Sequence, residues 1–296
     1  MLRNFRLYRL QGTWPESEEK ACEALKQYAF VECDRFSRKS AGFEQSLEQV
    51  VDSYCRRISG LDFIKLRFQS KLLPDSVISE ALEERVGEFS SRTGELPTKG
   101  ERKSLKEETI SKLLPQAMTK SKRLLGIICR KRGLLILGSV VEGENEVFLE
   151  KLNAAVPGLL PRLIEFKEPL ESFMKKIILD ESIHPFRVGR ECKLREIGAT
   201  NSTISWFDRN LKESHVRESL LEGLTIDRVE VRHHQNLTLV IDRKYGFLKC
   251  KLLGETDAVP GDSSDSPEKI DGDFALIGPS LLAFFDDFSA QLGGMV

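Results

Sequence analysis

The residues NFRLYRL near the start alternate apolar and polar side chains, with Phe5, Leu7 and Leu10 set among arginines, and this predicts an opening strand. A helix is predicted from Pro15 to Tyr28, with Pro15 in its first turn and Ala21, Ala24, Leu25 and Tyr28 at helical spacing. No period stands out from Phe36 to Tyr54. Ser59-Gly60 then predicts a hairpin turn into a strand over Asp62 to Phe68, which turns Ile64, Leu66 and Phe68 to one side. Pro74 opens a second helix through about Phe89, striped by Val77, Ile78, Ala81, Leu82 and Val86. Ser90 to Gly100 holds two glycines and Pro97 and predicts a polar tip. From Glu101 a third helix is predicted as far as Arg123, roughly 35 Å long at about 1.5 Å per residue. Residues 74–123 together would form a helical hairpin, a finger projecting from the body.

Beyond the finger, strands are predicted at Leu124 to Cys129 and Leu134 to Val140, flanking a basic turn, Arg130-Lys131-Arg132-Gly133. Helices follow at Glu144 to Ala154 and Pro169 to Leu179, with a break at Pro157 to Pro161 between them. Arg187 to Ile197 holds strand, and Lys212 to Leu221 is a short helix. Three strands come next, at Thr225 to Arg232, Leu237 to Ile241 and Phe247 to Leu252. In the first of these, Val229 and Val231 alternate with Arg228, Glu230 and Arg232. Residues 255–273 are acidic and rich in Ser, Pro and Gly, which predicts a flexible loop. Phe274 to Ile277 is expected as a last strand, with Pro279 opening a closing helix to Leu292. There is no fixed-period repeat and no steady βαβ alternation. The expected class is α+β, in one chain unit spanning residues 1–296, with mixed, largely antiparallel sheets.

Charge changes this picture. The whole chain carries a formal charge of -1. Between Lys99 and Arg132 stand eleven basic residues (Lys99, Arg102, Lys103, Lys106, Lys112, Lys120, Lys122, Arg123, Arg130, Lys131 and Arg132) against three acidic ones. That segment is +8, which leaves -9 on the remainder. Such polarisation points to an anionic partner. Lys99, Arg102, Lys103 and Lys106 fall on one face of a regular helix, continuing the line of Ile110, Leu113, Leu114, Ala117 and Met118 toward the tip. Pro115 must kink or interrupt that helix. The plain alternative is a solvated face laced by salt bridges, but Lys103 to Glu107 is the one pair at good i,i+4 spacing. Nucleic-acid phosphates are the leading partner.

Other chemistries leave little trace. No apolar run approaches the length of a membrane span, and no export signal is expected. Six scattered cysteines lack zinc spacing and read as reduced thiols of a cytoplasmic protein. Nucleotide-binding glycine loops and a Gly-x-Ser-x-Gly elbow are absent. His233 and His234 in a strand would point to opposite faces, and Asp262, Asp265, Asp271 and Asp273 lack calcium-loop spacing. No metal, cofactor or catalytic residue is therefore expected. A magnesium-dependent nuclease is the alternative, with Glu165-Phe166-Lys167 or Asp242-Arg243-Lys244 as acid-x-Lys motifs and Asp75 as a distant acid. A protein-interaction scaffold with a basic finger is another. Base-reading motifs are lacking, which favours backbone binding without sequence choice.

Two neighbouring blocks, KLLPDSVISEALEERV and KGERKSLKEETISKLLPQAMTK, together with the start NFRLYRL and the end DFALIGPSLLAFFDDFSAQLGG, are similar to the bacterial recombination-associated RdgC family. The likeness runs nearly end to end and is weak from Phe36 to Tyr54 and from Glu168 to Asn210. The resemblance implies horseshoe-shaped subunits that close as a ring-shaped homodimer around a basic hole. It implies binding of double- and single-stranded DNA without sequence preference, nucleoid association, and antagonism of RecA-type recombinases, with no enzymatic activity. Carried over by position, Lys99, Arg102, Lys103 and Lys106 are the phosphate contacts, and Arg209 is the cation of a second patch at Trp206-Phe207-Asp208-Arg209. Lys112, Lys120, Lys122 and Arg123 extend the expected DNA surface. Leu114, Pro115, Gln116 and Met118 fall where the family closes its ring. Gln116 and Met118 stand there in place of Arg and Phe.

Overall fold

A computed structural model describes residues 2–46, 52–179, 183–196, 202–212, 214–234, 236–252 and 267–296. Its strands are β1 (Phe5–Gln11), β2 (Lys39–Glu44), β3 (Cys55–Ile58), β4 (Leu61–Lys71), β5 (Thr119–Cys129), β6 (Leu134–Leu137), β7 (Leu160–Leu163), β8 (Phe186–Arg195), β9 (Thr203–Trp206), β10 (Thr225–His233), β11 (Leu237–Asp242) and β12 (Gly246–Leu252). Its helices are α1 (Glu18–Lys26), α2 (Asp75–Thr93), α3 (Lys99–Leu113), α4 (Glu142–Ala155), α5 (Leu170–Leu179), α6 (Ser214–Leu221) and α7 (Pro267–Gln291). The class is α+β, as the mixed element order predicts.

All twelve strands join one antiparallel sheet. Its order runs β2-β4-β5-β6-β1-β12-β11-β10-β8-β9, with β3 added to β4 and β7 to β1. The hydrophobic pattern explains its layering. In β1, Phe5 and Leu7 enter one core and Tyr8 enters another. The same division splits Leu61 and Phe63 from Ile64 and Leu66, and Leu134 and Ile136 from Leu135 and Leu137. Strands covered on both faces read as unbroken apolar runs such as LLIL, because each alternate side chain has its own layer to fill. One layer holds α1 and α4, through Ala21, Leu25, Phe148 and Leu152. The other holds α5 and α7, where Phe173, Phe284 and Phe288 pack edge to face or stacked.

Several expectations are corrected. The first helix begins at Glu18, because the Ser17 hydroxyl caps it by accepting from the Lys20 amide at 3.2 Å, and Pro15 stays outside. β4 is not one-sided, since Asp62 and Phe63 are as buried as Ile64 and Leu66. The third predicted helix stops at Leu113. Residues 114–116 form one 3-10 turn around Pro115, and the chain re-enters the sheet as β5 at Thr119. Proline ends this helix because it offers no N–H to the ladder and crowds the preceding turn. Ala117 and Met118 thus leave the helical stripe, and Met118 is 79% exposed. The finger's second helix spans 15 residues, about 22 Å at about 1.5 Å each.

The predicted last strand at Phe274 to Ile277 is helical, and Pro279 lies inside α7 rather than at its start. Burial outweighs the lost hydrogen bond here. Phe274 stacks on Phe63 at 4.1 Å, and Ile277, Leu281 and Phe284 are buried on the same side. Gly278 lets the helix approach closely, since a Cβ there would meet Leu61 Cδ1 at 2.4 Å. The acidic loop expected at 255–273 falls outside the described residues up to 266, and from Pro267 the chain is helical. β2, β7 and β9 are short strands that the pattern does not announce.

Candidate nucleic-acid interface

Helices α2 and α3 pair as a hairpin with well-defined ends at its tip. α2 ends at Gly94, whose φ of 80° places it in the left-handed region while its N–H bonds the Ser90 carbonyl at 2.8 Å. α3 begins with a capping box: the Glu101 N–H bonds Thr98 Oγ1 at 3.4 Å, and the Thr98 N–H bonds Glu101 Oε2 at 2.8 Å. The Thr98 hydroxyl, donating to Glu101 Oε2 at 2.7 Å, and after it the Thr98 N–H hold the Glu101 carboxyl below its ordinary range. Ile78, Leu82 and Val86 of α2 are buried, and Thr109 is the buried residue of α3. Arg85 ties the pair by reaching Thr109 Oγ1 at 3.3 Å and Glu108 at 2.9 Å.

On α3 the cations form a flank beside this seam. At about 100° per residue, Lys99, Arg102, Lys103 and Lys106 fall within an arc of roughly 100°, about a quarter turn from Leu105 and Thr109. Lys112 lies roughly 130° from the centre of that arc. All five are exposed.

Partners separate these cations into two groups. Arg102 pairs with Glu83 across the hairpin, and Lys103 approaches Glu107 at 4.0 Å; both pairs are open to solvent. Lys122 donates to both Glu144 oxygens at 2.6 and 2.7 Å. Arg123 grips Glu44 at 2.5 and 3.0 Å, an acid it shares with its cross-strand neighbour Arg67. Strand geometry explains the split, because Lys122 and Arg123 are successive residues of β5 and face opposite ways. Arg132 holds Asp286 of α7 through two bonds of 2.8 and 2.5 Å, which pushes its own pKa up. Arg130 donates to the Glu16 carbonyl at 2.8 Å. The basic turn therefore docks two of its three cations on the body. Among the described residues, no carboxylate lies within 4 Å of Lys99, Lys106, Lys112, Lys120 or Lys131, all of them exposed.

Arg209 does not join the finger. It follows the edge strand β9, and the strand order puts β5 near one end and β9 at the other. Its neighbour Asp208 pairs with Arg190 at 2.7 Å. Of the expected ring-closing residues, Leu114 is only 5% exposed and belongs to the chain's own core. Pro115, Gln116 and Met118 are exposed at the finger's base.

A second cationic surface lies on the sheet itself. The β8–β12 half carries core on one face, through Val229, Val231, Leu239 and Phe247. On the other face the register aligns Arg187 with Arg232, Arg232 with Thr238, and Thr238 with Lys251. Arg187, Arg232 and Lys251 are exposed and, among the described residues, have no carboxylate within 4 Å. Like charges directly opposite cost stability, so this row favours an anion above it. The alternation of Arg228, Glu230 and Arg232 with valines carries the signal; the register that lines up four strands does not appear in any one of them.

Among the described residues, the acids of the nuclease alternative form no group of three potential metal ligands. Asp242 serves the β11–β12 turn, accepting the Lys244 and Gly246 amides at 2.8 Å each. Asp75 opens α2, and Glu165 follows β7. Among the described residues, the one group of three potential metal ligands is His233, His234 and Asp287, which contains none of these acids. The two histidines do not point to opposite faces. His234 lies just past β10 with φ of 49°, which turns its ring toward the same carboxylate that His233 meets.

Fold and charge define a sheet-built α+β protein that carries a lysine-flanked helical finger and a cationic open sheet face. The protein-family model described as "Putative exonuclease, RdgC" matches residues 1–295, and the chain belongs to the RdgC family. Similar relatives include proteins named recombination-associated protein RdgC. Those of Shewanella baltica OS195 and Shewanella putrefaciens CN-32 are 26% and 25% identical over 296 residues, covering 99% of this chain and 97% of theirs. That of Shewanella loihica PV-4 is 24% identical, covering 99% and 98%. No helix among the described residues is long and apolar enough to cross a membrane.

Proposed function

We propose that this protein binds double- and single-stranded DNA through its phosphates, without sequence preference, and so limits the loading of RecA-type recombinases in recombination and replication-fork repair. The observation that carries this reading is the set of exposed lysines that, among the described residues, have no carboxylate within 4 Å: Lys99, Lys106, Lys112, Lys120 and Lys131. Lysine is a compact point charge, suited to a backbone that must be held but not read. Arg102 and Lys103 join by exchanging solvent-exposed carboxylates for phosphates, and displaced counterions supply the driving force. Family membership and the printed names of the Shewanella relatives support a role in recombination. On this reading two copies close a ring about the DNA, with Pro115, Gln116 and Met118 at one junction and the open sheet face turned to the duplex. The protein then sits on the nucleoid in the cytoplasm and acts as a non-enzymatic antagonist.

A gel-shift titration with unrelated duplex and single-stranded sequences, over a salt series and with or without Mg²⁺, tests the proposal. Sequence-independent shifts that fade steeply with salt and leave DNA intact are expected. Cleavage would favour the nuclease named in the family description, and no shift at low salt would leave a protein-docking finger. Sedimentation at working concentrations tests the dimer.

A further inference from the structure

The end of β10 and the helix α7 bring two imidazoles onto one carboxylate. His233 Nε2 stands 2.8 Å from Asp287 Oδ2, and His234 Nε2 stands 3.4 Å from the same oxygen. One ligand atom from each of the three residues fits within 4.8 Å of the others. His233 is 3% exposed, between the rings of Phe186 and Phe284, whereas His234 is 51% and Asp287 38% exposed. A simple strand-to-helix pin needs one histidine, and His233 with Asp287 already makes it. The second ring is brought in by a residue with positive φ, a conformation that a side-chain-bearing residue adopts at some cost.

We infer that His233, His234 and Asp287 form a binding site for a single divalent transition ion of the zinc type, with a coordination position open to water. Tetrahedral zinc holds nitrogen and oxygen ligands at about 2.0–2.1 Å, which sets neighbouring ligand atoms about 3.3 Å apart. The His234–Asp287 separation of 3.4 Å meets that spacing as it stands. The His233–Asp287 bond must open by about half an ångström, with His233 taking the tautomer that carries its proton on Nδ1 so that the Nε2 lone pair faces the metal. Two imidazoles and one carboxylate suit zinc, cobalt or nickel, whereas magnesium and calcium prefer all-oxygen shells. Bound there, the ion would staple the β10–β11 turn to α7. The site is independent of the lysine flank of α3.

The test uses the full chain with any affinity tag removed, stripped with chelator and dialysed. Co²⁺ is titrated in while the visible ligand-field bands are followed, and Zn²⁺ binding is measured by calorimetry. One equivalent per chain is expected, with intense tetrahedral-type Co²⁺ bands and a raised melting temperature on adding Zn²⁺. His234→Ala removes a half-exposed ligand and leaves the core intact; it should lower affinity at least tenfold and abolish the bands. Asp287→Asn should do the same, and His215→Ala, at an exposed site in α6, should change nothing. Absence of a stoichiometric site in the wild type, or affinity unchanged by His234→Ala, would overturn the assignment, since any remaining metal would then sit on thiols or other histidines.

Discussion

Replacing Lys99, Lys103 and Lys106 together by alanine strips the outer flank of α3 while touching no buried atom, so the fold should survive. Each phosphate contact contributes about 0.9 to the slope of log affinity against log salt on duplex DNA. Losing three contacts should therefore flatten that slope by about 2.7. Between 50 and 200 mM salt, a fourfold change, the advantage of wild type over variant should shrink by about 40-fold. Fluorescence anisotropy of a labelled duplex, repeated on two unrelated sequences, reads this directly. If two subunits grip the same duplex, the loss doubles to about 5, so the measurement also reports how many fingers engage. Parallel salt lines for wild type and variant would refute the reasoning, because the flank would then make no phosphate contact. Flattening on one sequence alone would refute the claim of backbone binding.

Other expectations follow from the same geometry. Asp62 is fully buried and accepts Trp14 Nε1 at 2.6 Å and the Arg57 guanidinium at 2.5 and 2.8 Å, so Asp62→Asn should destabilise the chain by about 3 kcal/mol in urea unfolding. Arg187→Ser with Arg232→Ser should weaken DNA binding while leaving thermal stability unchanged or slightly raised, because the cross-strand repulsion goes with the charges. A thiol reagent at pH 8 should leave Cys55 and Cys192 unmodified until denaturant is added. Burial raises both thiols, that of Cys192 up to about 12, and the thiolate is the reactive form.

How far the chain could be read follows from where each pattern keeps its information. β10, β11 and β12 are legible because one face is wet, so period-two alternation survives. The finger is legible from its tip, where Gly94, Pro97 and the Thr98–Glu101 box mark two helix ends. The first half of β5 is not, because Lys120, Lys122 and Arg123 are all exposed and imitate the polar run of a helix. Phe274 to Ile277 reads as strand because a helix buried against a sheet can carry bulky apolar residues in succession. The gathering of charge is plain in the sequence. Which cations are neutralised is not, since Arg132 finds Asp286 and Arg123 finds Glu44 across long stretches of chain. Arginine suits bidentate phosphate contacts, yet Arg102 and Arg123 already hold carboxylates, and among the described residues Lys99, Lys106, Lys112, Lys120 and Lys131 have none within 4 Å. His233 and His234 escape a strand-based reading because the second of them has already left the strand.

The strand β1 sits at the centre of the sheet, and its neighbours arrive at different times. It pairs with β6 through Arg6↔Leu137 to Arg9↔Leu134, while on its other edge β7 covers Tyr8 to Gln11 and Phe5 and Arg6 wait for β12, where Phe5 meets Phe247. As the chain leaves the ribosome, the first half can close its layer over β4, β5, β6 and β1 well before the last strands exist. For that interval the start of β1 keeps the unpaired backbone of Phe5 and Arg6 beside the apolar Phe5 and Leu7, an invitation to the wrong strand. Non-local pairing of this kind is slow to form. Late synthesis should thus be the vulnerable stage: chains stopped before β12 should aggregate or recruit chaperones, while full-length chains, once β12 has zipped onto β1, should not.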